Sequence, residues 1–237
     1  MIVIDKSFMT KEKRKLDHKP KRSFIAWLFF LIGSGSSLLL ALALAVMMLP
    51  QDLSTIEGYG EGAKTREARD LTTVLRESLE RGHEVTISED ELNRWIGQNL
   101  KLKQQGLLSD AIEIKGLGIR LREDEIEMVM ERSFYGLKST LSMYFQVLVE
   151  ADDNKSSKEV LLHGGPLVEF FPLLKRGGRF GRLTVPQGYI HLVKPAFFQL
   201  GEVCNEELGI AFRKMHDISV EEGQVVFTPS PSIRKSP

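Results

Sequence analysis

Glu125-Ile-Glu-Met-Val-Met-Glu131 and, after a break at Tyr135-Gly136, Leu141-Ser-Met-Tyr-Phe-Gln-Val-Leu-Val149 are the stretches whose reading decides the fold. Apolar side chains recur at every second position. Ile126, Met128 and Met130 do so in the first, and Leu141, Met143, Phe145, Val147 and Val149 in the second. A period of two marks strands with one buried face. Ile112 and Ile114, then Ile119 and Leu121, carry the same alternation upstream. Arg122-Glu-Asp-Glu125 supplies a turn, so the strands are expected to run antiparallel, half-buried, with Glu125, Glu127 and Glu131 on the polar side.

Helical spacing flanks this block. Ala68, Leu71, Val74, Leu75 and Leu79 form one stripe within Ala63–Arg81, and Gly82 is a natural stop. Glu84-Val-Thr-Ile-Ser88 reads as a short strand, and Ser88-Glu-Asp-Glu91 as a capping box opening a helix with Leu92, Trp95, Ile96 and Leu100 on one face. Downstream, Asp152–Ser157 reads as a polar loop, and Val160–Phe171 as a strand broken at Gly164-Gly-Pro166. Gly188–Met215 returns to helical spacing with a kink at Pro195. Ile218–Val220 and Val225–Phe227 flank a turn and predict a closing hairpin. Runs of strands between helices predict an α+β fold. The expected architecture is an N-terminal transmembrane helix followed by a curved antiparallel sheet packed on amphipathic helices.

The apolar run Phe24–Leu49 contains no charge and exceeds the roughly 20 residues that cross a bilayer core. Eight Lys and Arg residues precede it, from Lys6 to Arg22, whereas Asp52, Glu57 and Glu61 follow before the next cation, Lys64. That asymmetry predicts a cytoplasmic N-terminus and an extracytoplasmic remainder. Ala41-Leu-Ala43 and Ala43-Leu-Ala45 offer the alternative of a cleaved signal peptide, although the run continues past both. Gly33-Ser-Gly-Ser-Ser37 is either a flexible point or an approach site for another helix. The expected organisation is a basic cytoplasmic tail over 1–23, a membrane helix over 24–49, a linker over 50–62, one domain over 63–229 and a frayed tail over 230–237.

Composition narrows the function classes. The formal net charge of +0 gives no basic footprint for nucleic acid. Cys204 is the single cysteine, so no internal disulfide forms, and it sits in an apolar helical pattern that reads as core. His18, His83, His163, His191 and His216 show no metal-ligand spacing, and no P-loop occurs. Gly33-Ser-Gly35 lies inside the apolar run and is no nucleophile elbow. The chain is therefore expected to be non-enzymatic, without cofactor or metal.

Val85-Thr-Ile-Ser-Glu-Asp-Glu-Leu-Asn93, with Gly181-Arg-Leu-Thr-Val-Pro186 followed by a helix and a final hairpin, resembles the YpmS-like family and related membrane-anchored envelope domains. The resemblance covers about residues 84–229. It implies a curved sheet wrapped on a helix, similar to tubular lipid-binding domains, and brings no catalytic residues.

Two candidate sites follow. The alternating face of Met128, Met130, Leu141, Met143, Phe145, Val147 and Val149 suits an apolar groove for acyl chains, against the ordinary reading of a sealed core under the helices. Lys175-Arg-Gly-Gly-Arg-Phe-Gly-Arg182 gathers Lys175, Arg176, Arg179 and Arg182 among glycines, which suits an anionic headgroup, against the ordinary reading of a solvated loop. The expected partners are the membrane, a lipid or an envelope protein.

Overall fold

The computed structural model describes residues 24–60, 67–99, 112–152, 155–191, 194, 197 and 205–229. The expectations for the basic tail, Leu100, Pro195, Cys204 and the C-terminal tail fall outside them. The chain divides after Ala43 into two compact units. In the first, helix α1 (Phe24–Met48, 25 residues) begins, and none of its residues is buried. At 1.5 Å per residue it is about 37 Å long, enough to cross a membrane. Its hydroxyls are satisfied internally: Ser34 donates to the Leu31 carbonyl and Ser37 to the Gly33 carbonyl. That arrangement lets polar side chains sit on an apolar helix without exposing an unmet donor.

The second unit, Leu44–Pro237, is α+β. Helix α2 (Leu71–Arg81) starts where the Asp70 carboxylate accepts from the Thr72 N–H, and stops at Gly82, whose φ of 67° closes the last turn. Strand β1 (Val85–Ser88) leads directly into α3 (Glu89–Asn99). The Ser88 hydroxyl accepts from the Glu91 N–H at 3.2 Å, as the capping motif predicts. The Glu91 carboxylate turns instead to Arg69, which holds it below the ordinary carboxylate range.

The large sheet has the order β2 (Ile112–Arg122), β3 (Glu125–Phe134), β4 (Leu137–Asp152), β6 (Arg176–Phe180), β7 (Leu183–Pro186), with β5 (Lys155–Leu161) also on β4. All these pairs are antiparallel. The 16-residue β4 serves both neighbours on one edge, β6 along its first half and β5 along its second. Asp152 pairs with Lys155, so the expected polar loop is a tight hairpin. The stretch after Leu161 makes a single bridge, Pro166 to Lys175, rather than the strand expected up to Phe171. A 3-10 turn (Gln187–Tyr189) follows β7, and helix α4 (Asn205–Lys214) leads into the closing hairpin β8 (Met215–Glu221) and β9 (Gln224–Pro229). β9 pairs with β8 and β1 in a small three-stranded sheet.

The apolar alternation lines the inner face as expected. Leu117, Ile119, Leu121, Met130, Leu141 and Met143 pack there against Leu71, Leu75, Trp95 and Ile96 of α2 and α3, and against Ile218 and Val225 of the small sheet. The outer face departs from expectation. Glu127, Val129, Ser142 and Tyr144 are all less than 2 % exposed. Two things cover this face: Gly164, Arg176 and Arg179 lie against Tyr144, and the segment 51–60, expected as a linker, lies over β2 as a strap. Ile56 is 3 % exposed. Gly116 and Gly118 of β2 leave room for Tyr59 and Ile56, whose side chains stand where a Cβ would project. The Tyr59 hydroxyl donates to Glu131 at 2.7 Å, and burial with this neighbour pushes its ionisation well up.

Two residues of α3 fasten the strap to the sheet. The Glu89 carboxylate accepts from the Glu57 N–H on the strap at 2.9 Å and from the Leu121 N–H on β2 at 2.7 Å. Asn93 donates to the Glu57 carbonyl at 2.8 Å and to the Ile119 carbonyl at 2.7 Å, and accepts from the Ile119 N–H at 2.6 Å. Both are buried, four residues apart on one helix face. The strap's beginning is held as well. The Gln51 N–H donates to the Thr140 hydroxyl at 2.9 Å. The β6–β7 turn caps the end of α1, with the Arg182 N–H donating to the Val46 carbonyl and its guanidinium to the Pro50 carbonyl.

Gly58 has φ 71°, and a side chain there would run into the Asp90 backbone. Gly58→Ala is expected to lift the strap at a cost of about 2 kcal/mol or more. Asn93→Ala, which strands the buried N–H and carbonyl of Ile119 and the part-buried carbonyl of Glu57, is expected to cost about 3 kcal/mol. Hydrogen exchange checks both: the Glu57 amide, which donates to Glu89, is expected to lose protection in Gly58→Ala, and the Ile119 amide, which donates to Asn93, in Asn93→Ala.

Candidate functional site

Between the inner face and the helices lies a cavity of about 190 Å³. Leu71 and Leu75 of α2, Leu92, Trp95 and Ile96 of α3, and Leu208, Ala211 and Phe212 of α4 form its roof. Leu117, Ile119, Leu121, Ile126, Met128, Phe145 and Val147 form its floor, and Ile87, Ile218, Val225 and Phe227 of the small sheet close one side. Glu207 is the only charged residue among them. It is held at the rim, where its carboxylate accepts from the Thr72 hydroxyl at 2.5 Å. Leu208 is 41 % exposed and marks the open side.

The cavity exists because three helices share one sheet face. α2 and α4 lie side by side, joined by Thr72–Glu207 and Arg76–Glu206. Lys158 of β5 donates to the Met215 carbonyl at 2.5 Å and the Phe212 carbonyl at 3.4 Å, and so completes the end of α4. Burial lowers the Lys158 pKa.

The seven apolar candidates fall into three groups. Met128, Phe145 and Val147 line the cavity. Met130, Leu141 and Met143 are packed in the core, at most 8 % exposed. Val149 is half-buried and lies outside the cavity lining. Sequence reasoning overlooked the contribution of Ile119 and Leu121 and the whole helical roof, although the stripes on α2 and α3 carried the signal.

The four cationic candidates lie in and beside a strand, not a solvated loop, and Arg176 and Arg179 are on the sheet face opposite the cavity. Arg179 pairs across from Ser142 and its guanidinium sits 3.6 Å from Glu127. Arg176 donates to Glu125 at 2.7 Å, and Glu125 also accepts from the Gly165 N–H. Glu125, expected at a solvated turn, is only 5 % exposed because these donors cover it. Glu127 is fully buried, with Arg120 at 2.6 Å and the Ser142 hydroxyl at 2.8 Å. Arg120 reaches on to the Thr55 hydroxyl of the strap at 2.9 Å. The Tyr144 ring carries Arg176 at 5.0 Å and Arg179 at 5.7 Å, a cation–π arrangement. Burial above all, then Glu127, pushes the Tyr144 phenol up to about 12. Arg182 caps α1, and Lys175 is half-buried at the start of β6, its carbonyl accepting from Gln187. Among the described residues, no three His, Cys, Asp or Glu side chains form a group able to hold a metal ion.

Removing one partner of a buried ion network leaves the others uncompensated. Glu127→Ala is therefore expected to cost about 3–5 kcal/mol in urea denaturation. Tyr144 ionises later in the folded chain than an ordinary phenol, at about 12. Its contribution to stability is thus complete below pH 10 and lost as the pH rises through about 12. Tyr144→Phe is expected to flatten that alkaline loss, read from denaturation midpoints across the range. Comparison of the chain with protein-family models and with curated proteins finds no match.

Proposed function

We propose that this is a non-enzymatic single-pass protein, anchored by α1 with its N-terminus cytoplasmic, whose extracytoplasmic domain binds part of an acyl chain or an apolar ligand of similar girth. The observation that carries the reading is the open, apolar-walled cavity of about 190 Å³. An engineered apolar cavity of about 150 Å³ takes benzene, so this volume suits a segment of one chain rather than a whole two-chain lipid. The positive flank before α1 and the run's length favour an anchor over a cleaved signal.

In this reading the ligand's polar end stays at the rim near Leu208. Arg176 and Arg179, committed to buried carboxylates on the other face, serve the sheet. A second reading, a module that positions an envelope protein, draws on one observation: Phe170 and Leu173 in the loop after β5 are 87 % and 84 % exposed.

Native mass spectrometry of the detergent-released full chain, with organic extraction, tests the first reading. A stoichiometric apolar ligand is expected, and a clean mass after incubation with membrane extract sinks the idea. Val147→Phe fills the cavity from the β4 side. It is expected to weaken binding of a fluorescent fatty-acid probe about tenfold or more while leaving the melting temperature unchanged or higher.

A further inference from the structure

We propose that the β3–β4 turn, Phe134-Tyr-Gly-Leu137, inserts into the headgroup region of the bilayer in which α1 is anchored. The turn presents Tyr135 78 % exposed, Leu137 60 % and Phe134 39 %, with Lys138 exposed beside them. Phe134 and Tyr135 stack edge to face at 4.8 Å, making one compact apolar knob. Tyr135 and Gly136 have φ of 47° and 82°. A two-residue turn with both central residues at positive φ favours Asn-Gly or Gly-Gly, and an aromatic residue there is strained by about 1 kcal/mol. An exposed, strained aromatic serves no packing role in the fold, and strain of this kind clusters at functional surfaces.

Connectivity supplies the occupant. The chain is pinned to Thr140 from two directions: Gln51 donates to its hydroxyl, and Gly181 to its carbonyl. Arg182, next to Gly181, holds the carbonyls of Val46 and Pro50. Thr140 is three residues along β4 from Leu137, about 10 Å. The apolar run ends at Leu49, two residues before Gln51. The knob therefore sits within about 20 Å of Leu49, where the apolar run ends, and it reaches the interfacial layer, about 5–8 Å thick on each side of the hydrocarbon core, where the start of β4 points toward the bilayer. Tyr and Phe are the side chains that this layer accepts, and Lys138 suits anionic headgroups. The other exposed apolar segment, with Phe170 and Leu173, lies beyond the opposite end of β6, about 17 Å further along that strand.

The proposal rests on α1 remaining as an anchor. The test uses the full chain in phosphatidylcholine–phosphatidylglycerol vesicles, with the only cysteine replaced (Cys204→Ser) and a thiol-linked NBD dye at Tyr135→Cys or Leu173→Cys. Lipids carrying a nitroxide near the headgroup are expected to quench the dye at 135 about twofold or more beyond that at 173. An unquenched dye at 135, or equal quenching at both positions, overturns the proposal. Cleavage of α1 registers separately, as chain recovered in the supernatant after the vesicles are pelleted.

Discussion

A single carboxylate, Glu127, sets the terms for the rest of the domain. It is fully buried on β3, an interior strand of the sheet, and an unpaired charge there would be untenable. Arg120 from one neighbouring strand, Ser142 from the other and Arg179 from the strand beyond meet it. Those cations need cover in turn. The strap supplies it for Arg120 through Thr55, and the Tyr144 ring supplies it for Arg179. The outer face is thus a closed polar layer whose members depend on one another, and such a layer fixes one register for β2, β3, β4 and β6.

The two faces of this sheet divide the labour. The outer face is mostly polar and its carboxylates are paired with arginines, while Tyr144 Oη and the Nε atoms of Arg176 and Arg179 are buried without a hydrogen-bond partner. The inner face is apolar and incompletely filled. Leaving about 190 Å³ unpacked forgoes something on the order of 4–5 kcal/mol at the rate found for engineered cavities. A fold can hold such a space open only if its walls are fixed from elsewhere. Here Glu89 and Asn93 fix α3 to β2 and the strap, and Lys158 fixes the end of α4.

The inner face was legible because alternation reports which side chains share a face. Ile126, Met128, Phe145 and Val147 point where their spacing says. Alternation does not report how far along a strand the helices seal it, so Met130 and Met128, one period apart, could not be sorted into core and cavity. The outer face was misread for a related reason. Glu125, Glu127 and Glu131 carry the same letters whether they face water or arginine, and Arg179 and Thr55 lie about 50 and 70 positions away from Glu127 in sequence. Two local signs did exist: Arg120 and Glu127 occupy directly opposed positions across a short turn, and Gly116 and Gly118 leave the same face bare. The strap escaped notice because Gly58 and Gly60 read as flexibility, whereas Gly58 marks a tight approach to α3. Glu89 and Asn93 gave no sign of their role, since their partners are backbone groups that no pattern of side chains reveals.

The clasp between Pro50 and Arg182 has a temporal side. Its two ends are separated by 132 positions in the chain, and Gln51 and Thr140 by 89. At roughly 5–20 residues per second, Arg182 is synthesised about 7–26 seconds after Pro50. During that interval the strap lacks its clasp at Arg182 and the carboxylates of β3 have no arginine from β6. The polar layer is therefore complete only after β6 arrives. Until then the nascent domain is a set of helices and hairpins hanging from an apolar segment that is already complete.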